Sequence, residues 1–452
     1  MTDTITGKKK QDSSGNIREL ALDVLYQILE KGGYSHVVLN QALSKYQYLG
    51  KQDRAFVTRV TEGTLEYLLQ IDYVLNRYSN TGTEKMKPLI RTLMRMSVYQ
   101  ILYMDRIPDS AVCNEAVKLA QKRHFQGLKG FVNGVLRTVS RQKDNLVFPD
   151  LSVKYSMPSW ILSLWSQVYD QETIERMLSY FLAEHPLTVR CNRTCEKKET
   201  VIASLESQGV TVRESSLADS ILYLEHLDYP EGLEAFRKGW IQIQDVSSCL
   251  PGLIACPRKG DTVLDVCGAP GGKALHIADL LEGTGHVEVR DISSYKLNMI
   301  NENIARSGFT NITASLWDAA QLDENFIEKA DVVIADLPCS GLGVLGRKPD
   351  IKEKMTLESL ESLAALQRNI LSVVHRYVKP GGILVYSTCT IDRKENEENV
   401  AWFLERYPFR PVNIDGRLGE ELKSDTMKEG YIQLLPGIHP CDGFFLSVMQ
   451  KI

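Results

Sequence analysis

From about Trp240 to the C-terminus, short apolar runs alternate with helical segments. The runs are Thr262–Val266, His286–Val289, Ile312–Leu316, Val332–Asp336 and Ile383–Tyr386. Strands that are apolar almost throughout must be covered on both faces, and the helices between them supply the cover. The pattern predicts a doubly wound α/β domain with a mostly parallel sheet. Ligands of such sheets bind beyond the carboxyl ends of the strands, so any chemistry belongs there.

The preceding chain has a different period. Leu20, Ala21, Val24, Leu25, Ile28 and Leu29 recur at three- and four-residue steps, and Gly32-Gly33 stops the pattern. Further helices are predicted around Val57–Leu68, over Leu89–Met104, after Pro108 with Asp109 or Ser110 as cap, and over Gly127–Val139. Together they make an all-α bundle. Pro149, Pro158 and Pro186 then punctuate a stretch with one helix over Trp160–Leu182. Strands at Leu187–Arg190, Val210–Val212 and Ile221–Leu224, around a helix at Lys197–Ser207, predict a small α+β module. The expected multidomain division is a flexible tail over 1–16, a helical domain over 17–145, a linker module over 146–238 and the α/β domain over 239–452. A length of 452 residues suits this number of folded domains.

Charge separates the two ends. Residues 1–145 hold 22 Lys and Arg against 14 Asp and Glu, a net of +8, while the whole chain is at −4. A basic module joined to an acidic one suits a polyanionic partner, although a solvated helical surface would look the same. No apolar run approaches the ~20 residues that span a bilayer. The polar N-terminus with Lys8, Lys9 and Lys10 has no apolar core of a secretory signal. Nine cysteines, with no C-x-x-C pair, are too sparse for a disulfide framework. Cys191 and Cys195 have no second pair or nearby histidine to complete a zinc site. The expectation is a cytoplasmic protein with free thiols, no metal and no membrane association.

The first strand of the α/β domain ends in Asp265-Val266-Cys267-Gly268-Ala269-Pro270-Gly271-Gly272-Lys273. Glycines there let the backbone turn tightly against a ligand. A phosphate-binding loop needs Gly where Cys267 stands and Ser or Thr where Ala274 stands. A dinucleotide fingerprint needs a glycine spacing that Gly268, Gly271 and Gly272 do not have. The second strand ends at Asp291, where a carboxylate can accept hydrogen bonds from ribose hydroxyls. The third ends near Asp318, which can receive an adenine amino group. Either acid could instead cap a helix. Together with the glycine turn they predict a nucleoside-type cofactor. The last two strands end in Asp336-Leu337-Pro338-Cys339 and Ser387-Thr388-Cys389. Two thiols at the ends of two strands of one sheet should face one crevice, and nucleophilic chemistry suits them better than metal binding.

These motifs carry a resemblance. Residues 240–452 resemble the S-adenosylmethionine-dependent RNA cytosine-C5 methyltransferases. The matching segments are Gln244-Asp245-Val246-Ser247-Ser248, Asp265 to Lys273, Asp336-Leu337-Pro338-Cys339, Ser387-Thr388-Cys389, Glu395-Asn396-Glu397 and Asp442-Gly443-Phe444-Phe445. Residues 17–140 resemble the NusB-like RNA-binding domain, notably Phe131-Val132-Asn133-Gly134-Val135-Leu136-Arg137. The combination is similar to the bacterial 16S ribosomal RNA cytosine-C5 methyltransferases of the Fmu/Sun family. Gly268 and Ala274 depart from that pattern, and Arg290 is an unusually charged neighbour for Asp291.

The resemblance implies a Rossmann-like methyltransferase domain, S-adenosylmethionine as cofactor and 16S ribosomal RNA as partner; the chain is expected to be a monomer. It implies that Cys267, Gly268, Ala269, Pro270, Gly271, Gly272, Lys273, Asp291, Asp318 and Asp336 line the cofactor site. It also implies Cys389 as nucleophile toward C6 of cytosine, Cys339 as the thiol that assists release, and Asp336 on the N3/N4 edge of the base. The acceptor of the C5 proton stays open between Asp336, Cys339 and water. Two other readings stand beside this one: a catalytically silent RNA-binding assembly factor, and the same chemistry on transfer RNA.

Overall fold

The computed structural model describes residues 13–46, 49–227 and 229–452, in two compact units. One unit runs to Leu178 and takes in Gly346–Glu353; the other holds Ser179–Leu345 and Lys354–Ile452. Among the described residues, no helix is long and apolar enough to cross a membrane.

The first unit is helical. Its centre is Pro88–Tyr103, which starts on a proline preset for a first turn and buries Leu93, Met94, Val98, Tyr99 and Ile101. Helices Ser13–Leu29, Lys51–Glu66, Leu68–Tyr78, Asp109–Lys122 and Lys129–Gln142 pack around it. Gly63 is required here, because a Cβ would overlap the Tyr99 ring. The expected tail over 1–16 lies outside the described residues as far as 12, and the first helix already begins at Ser13. Neither Asp109 nor Ser110 caps its helix; Pro108 holds that position. Asp109 instead accepts hydrogen bonds from Ser140 and Lys143. The single helix expected over Trp160–Leu182 is two, Ser159–Trp165 and Gln171–Phe181. The break follows from Asp170, whose carboxylate accepts the Thr173 amide at 2.8 Å and restarts the helix.

Gly346–Glu353 belongs to this unit although its chain neighbours do not. Asp350 accepts the Ser35 amide at 3.1 Å and the Ser35 hydroxyl at 2.5 Å, so it satisfies the start of helix Ser35–Lys45. The Lys352 ammonium donates to the carbonyls of Glu66 and Ser156 at 2.6 and 2.7 Å.

The second unit contains two sheets. The small one has the order β2-β3-β1-β4, all antiparallel, from β1 Leu187–Cys191, β2 Thr211–Glu214, β3 Ile221–Glu225 and β4 Ile241–Ile243. Strand β4 lies beyond residue 238, where the linker module was expected to end.

The large sheet has eight strands: β5 Thr262–Asp265, β6 His286–Asp291, β7 Ile312–Leu316, β8 Ala330–Asp336, β9 Val378–Thr388, β10 Phe409–Pro411, β11 Tyr431–Leu434 and β12 Phe444–Lys451. The path is β10-β12-β9-β8-β5-β6-β7, with β11 also on β12. Strands β5 to β9 are parallel, as expected, and β10, β11 and β12 add an antiparallel edge. After β7 the chain returns across the sheet to place β8 beside β5. A crevice opens at such a reversal, outside the carboxyl ends of β5 and β8.

The Asp350 cap yields a first prediction. Asp350→Ala should lower stability to urea by about 1–2 kcal/mol, the usual worth of a helix N-terminal acceptor. An unchanged unfolding midpoint would show that the acceptor carries no weight.

Candidate active site

The turn after β5 is shaped by close backbone approach. The Gly268 amide donates to the Arg290 carbonyl at 2.9 Å, and a Cβ on Gly268 would overlap Val289. Gly271, at φ 101°, starts helix Gly272–Leu280 from the left-handed region, where a side chain is strained. The turn therefore presents backbone to the crevice.

Carboxylates gather around it. Asp265 is fully buried, and neither oxygen makes a hydrogen bond of normal geometry, although the Cys267 amide faces it. Burial pushes its carboxyl up to about 7, against the pull of Lys273. Asp291 is buried; Oδ1 accepts the Ser293 amide at 3.0 Å and Oδ2 lies 3.9 Å from Lys296 Nζ. Asp318 is half-buried and accepts the Ala320 amide at 2.9 Å, so it does close a turn. It stays beside Asp291, whose carbonyl accepts the Trp317 amide at 3.1 Å. Burial holds the Cys267 thiol well above its usual range, and the charges of Asp265, Asp291 and Asp336 hold it higher.

Arg290 does not compete for this site. Side chains alternate along a strand, so it points away from the face of Asp291. Its guanidinium bonds Glu288 at 2.6 Å and Asp323 at 2.8 Å, and lies over the rings of Trp317, Phe326 and Tyr377.

The two cysteines meet. Cys339 Sγ lies 3.2 Å from Cys389 Sγ and accepts the Cys389 amide at 3.3 Å. The hydrogen bond to Cys389, then burial, holds the Cys339 thiol well above its usual range, so Cys339 keeps its proton. Beside them Asp336 accepts the Lys273 ammonium at 2.7 Å on one oxygen and the Ser387 hydroxyl at 2.8 Å on the other. Burial pulls the Lys273 pKa down, but Asp336 outweighs it and the net shift is upward. Lys273, expected in the cofactor loop, thus also reaches the thiol crevice, over the Phe444 ring.

A buried polar layer fixes both cysteine loops. Ser340 and Thr390 hydroxyls pair at 2.7 Å. Glu395 accepts the Ser340 amide at 3.0 Å and the Gln367 side-chain amide at 2.8 Å. Asn396 accepts the Thr388 hydroxyl at 2.5 Å and donates to the Thr390 carbonyl at 3.1 Å. Gly343, after Cys339, donates to the Cys389 carbonyl and accepts from Gly443. Burial pushes the Glu395 carboxyl up to about 7. Glu395, Asn396 and Gly443 fall in motifs visible in the sequence without a role attached. Gln367 stands inside helix Leu357–Val374 and has no sequence signal at all.

A parallel sheet with this glycine turn and these strand-end residues defines an α/β methyltransferase domain, here in a chain with a helical unit. The chain belongs to the RsmB/F family of 16S ribosomal RNA methyltransferases. Residues 253–450 match the family described as 16S rRNA methyltransferase RsmB/F, residues 15–141 the NusB family, and residues 157–227 the ferredoxin-like domain of RsmF/B-like methyltransferases. The probable ribosomal RNA small subunit methyltransferase B of Bacillus subtilis (strain 168) is 35% identical over 445 residues, covering 96% of this chain and 99% of that protein. A relative of the same description in Synechocystis sp. is 30% identical over 450 residues, covering 96% and 99%. Among solved structures, PH0851 aligns with a TM-score of 0.82 at 24% identity, covering 98% of this chain and 100% of that one. NSun6 from Pyrococcus horikoshii with SFG aligns at 0.58 and 23% identity, covering 65% and 98%. These two likenesses concern the fold.

The family depends on S-adenosylmethionine, a cation with a ribose. The residues present fit it. Three carboxylates converge around Cys267, two oxygens of Asp265 are buried without a hydrogen bond of normal geometry, and the Gly268–Gly272 backbone is open to close approach.

Two predictions follow from this geometry. Asp291→Ala should weaken calorimetric binding of S-adenosylmethionine by roughly 10- to 100-fold, because a buried charge-assisted hydrogen bond is worth about 1.5–3 kcal/mol; unchanged affinity would remove Asp291 from the site. The second concerns pH. Folded Glu395 keeps its proton up to about 7, whereas the unfolded chain releases it near 4.5. Its stabilising contribution is therefore fully present below 4.5 and lost as pH rises through 7, a change of about 3 kcal/mol. Urea unfolding across that window should show this slope in the wild type and a flatter one in Glu395→Gln. Equal slopes would mean that another group holds the proton.

Proposed function

We propose that the protein methylates C5 of a cytosine in 16S ribosomal RNA through a covalent bond between Cys389 and C6. The observation that carries this reading is the 3.2 Å approach of the two thiols next to the Asp336–Lys273 pair. C5 of cytosine is too weak a nucleophile to take a methyl group unaided. Addition of the Cys389 thiolate to C6 makes the ring an enamine, and C5 then carries the electron pair. A thiolate both adds and leaves well, which a serine alkoxide does not. Asp336 lies along the N3/N4 edge of the base, and the Lys273 ammonium beside it offsets charge that builds on the ring. S-adenosylmethionine, when bound, supplies the methyl group as an electrophile on sulfur. A base then removes the C5 proton, the Cys389–C6 bond breaks, and the thiolate is expelled. Cys339, which holds its own proton, assists that release.

The target base must leave its stack for C5 and C6 to be reached. The net charge of +8 over residues 1–145 supports RNA contact by the helical unit, through phosphates more than bases. The names of the relatives support small-subunit ribosomal RNA over transfer RNA. Nine free thiols suit the reducing cytoplasm.

The two thiols should fail differently. Cys389→Ala should lose both turnover and any covalent RNA complex. Cys339→Ala should still attack and methylate, then release slowly, so a denaturant-resistant protein–RNA adduct accumulates. A denaturing gel with labelled target RNA and S-adenosylmethionine reads both. An adduct with Cys389→Ala and none with Cys339→Ala would reverse the roles. No adduct from wild type on 5-fluorocytidine RNA would end the covalent reading.

A further inference from the structure

Strands β1 and β4 carry no reacting group, yet a charge is buried there. Arg190, on β1, has no exposed surface. Its Nε donates to Gln244 Oε1 at 3.0 Å, and Nη1 lies 3.6 Å from Asp279 Oδ2. Neither Nη1 nor Nη2 completes a hydrogen bond. Burying a guanidinium so incompletely paired costs stability that an aliphatic side chain would not cost. The two partners of Arg190 suggest what the cost secures.

Gln244 follows β4. Its amide donates to the Thr188 carbonyl at 3.2 Å, and its side-chain nitrogen donates to the Ser248 carbonyl at 2.8 Å. A Cβ on Gly272 would meet this side chain at 3.4 Å, so Gln244 lies against the first residue of the helix that begins at the glycine turn. Asp279 lies near the other end of that helix. It accepts the Arg193 amide at 2.9 Å, the Thr194 amide at 2.9 Å and the Thr194 hydroxyl at 2.6 Å. Between Gly272 and Asp279, His276 is fully buried, and burial followed by the Arg190 charge keeps it neutral.

The same module grips a second helix. Ser294–Ser307 starts just after Asp291. Near its end, Arg306 donates to the carbonyls of Phe236 and Ile241 at 2.9 and 3.0 Å, and also to the Gln242 side chain. Gly239, at φ 70°, comes so close that a Cβ would overlap the Arg306 carbonyl. Both helices whose first turns border the cofactor crevice are thus fastened farther along by the small sheet and its loops.

We infer that Arg190 is a positioning residue for the S-adenosylmethionine site, acting through Gln244 on Gly272–Lys273 and through Asp279 on the same helix. The small module then serves as the clamp that sets how the glycine turn enters the crevice. The inference rests on the cofactor reading of that turn. Small misplacements of a binding loop cost affinity steeply.

The test is calorimetric titration of S-adenosylmethionine into wild type, Arg190→Met, Arg190→Lys and Gln244→Leu, with steady-state KM values for cofactor and RNA. Arg190→Met and Gln244→Leu should raise Kd and KM for S-adenosylmethionine on the order of tenfold, and leave KM for RNA unchanged. Arg190→Lys should restore part of the loss. If Arg190→Met does not fold, Gln244→Leu decides, because it keeps the Arg190–Asp279 pair. Folded variants that melt earlier but bind S-adenosylmethionine like wild type would overturn the inference. Failure of wild type to bind would instead overturn the cofactor reading, and the inference with it.

Discussion

The Lys273 ammonium is the charge on which the crevice depends. Asp265 and Asp336 end neighbouring strands, and Asp291 ends the next one. Three carboxylates so close, two of them buried, would repel one another and resist ionisation. Lys273 enters from the turn after β5 and bonds Asp336 at 2.7 Å, while lowering the cost of Asp265. It also reaches Cys389 electrostatically, and that group contributes to the upward shift of its pKa. One side chain therefore joins the glycine turn to the cysteine pair. That link has a geometric origin, because β8 lies beside β5 only after the chain has reversed across the sheet.

Holding two loop cysteines at 3.2 Å needs more than strand ends. The layer of Glu395, Asn396, Asn399, Gln367 and Tyr386 is buried and extensively hydrogen-bonded. Polar groups removed from water are costly when unpaired, and a satisfied network is rigid for the same reason. Here the network ties Ser340, next to Cys339, to Thr390, next to Cys389. Loop mobility that would separate the thiols would also strip hydrogen bonds from buried polar groups.

The parts legible in the sequence were those with a local cause. Five parallel strands showed as apolar runs, and Cys339 and Cys389 could be assigned to one crevice because parallel strands share an end. The missed parts depend on distant partners. Asp350 satisfies a helix start 315 residues away, and no local pattern records that. Gln367 reads as one more polar residue in an amphipathic helix until Glu395 and Pro338 are seen beside it. Strand β4 is three residues long and its identity comes from pairing with β1. The break at Asp170 was readable in principle, since Asp three residues before Thr173 is an ordinary cap, but the apolar spacing continued through it. Arg290 looked like a misplaced charge only because its alternate face, lined by Trp317, Phe326 and Tyr377, comes from three other segments.

The two thiols divide the labour that the proposed chemistry asks of the crevice. Addition to C6 needs a deprotonated sulfur, whereas the second sulfur must remain available after methyl transfer. Two sulfurs at 3.2 Å cannot both be anionic at low cost, so at least one of them stays protonated. The hydrogen bond to Cys389, then burial, holds the Cys339 thiol well above its usual range, so Cys339 is a sulfur that keeps its proton. Cys389 has different surroundings: the Lys273 ammonium stands within electrostatic reach of it. The asymmetry does not come from the residues, which are chemically identical. It comes from position, because Cys389 directly follows β9 within electrostatic reach of the ammonium, while Cys339 sits three residues beyond the end of β8 with the Asp336 carboxylate among its neighbours. For the proposed chemistry, a fold that places the same group in two such fields would supply both a nucleophile and a proton holder without two kinds of side chain.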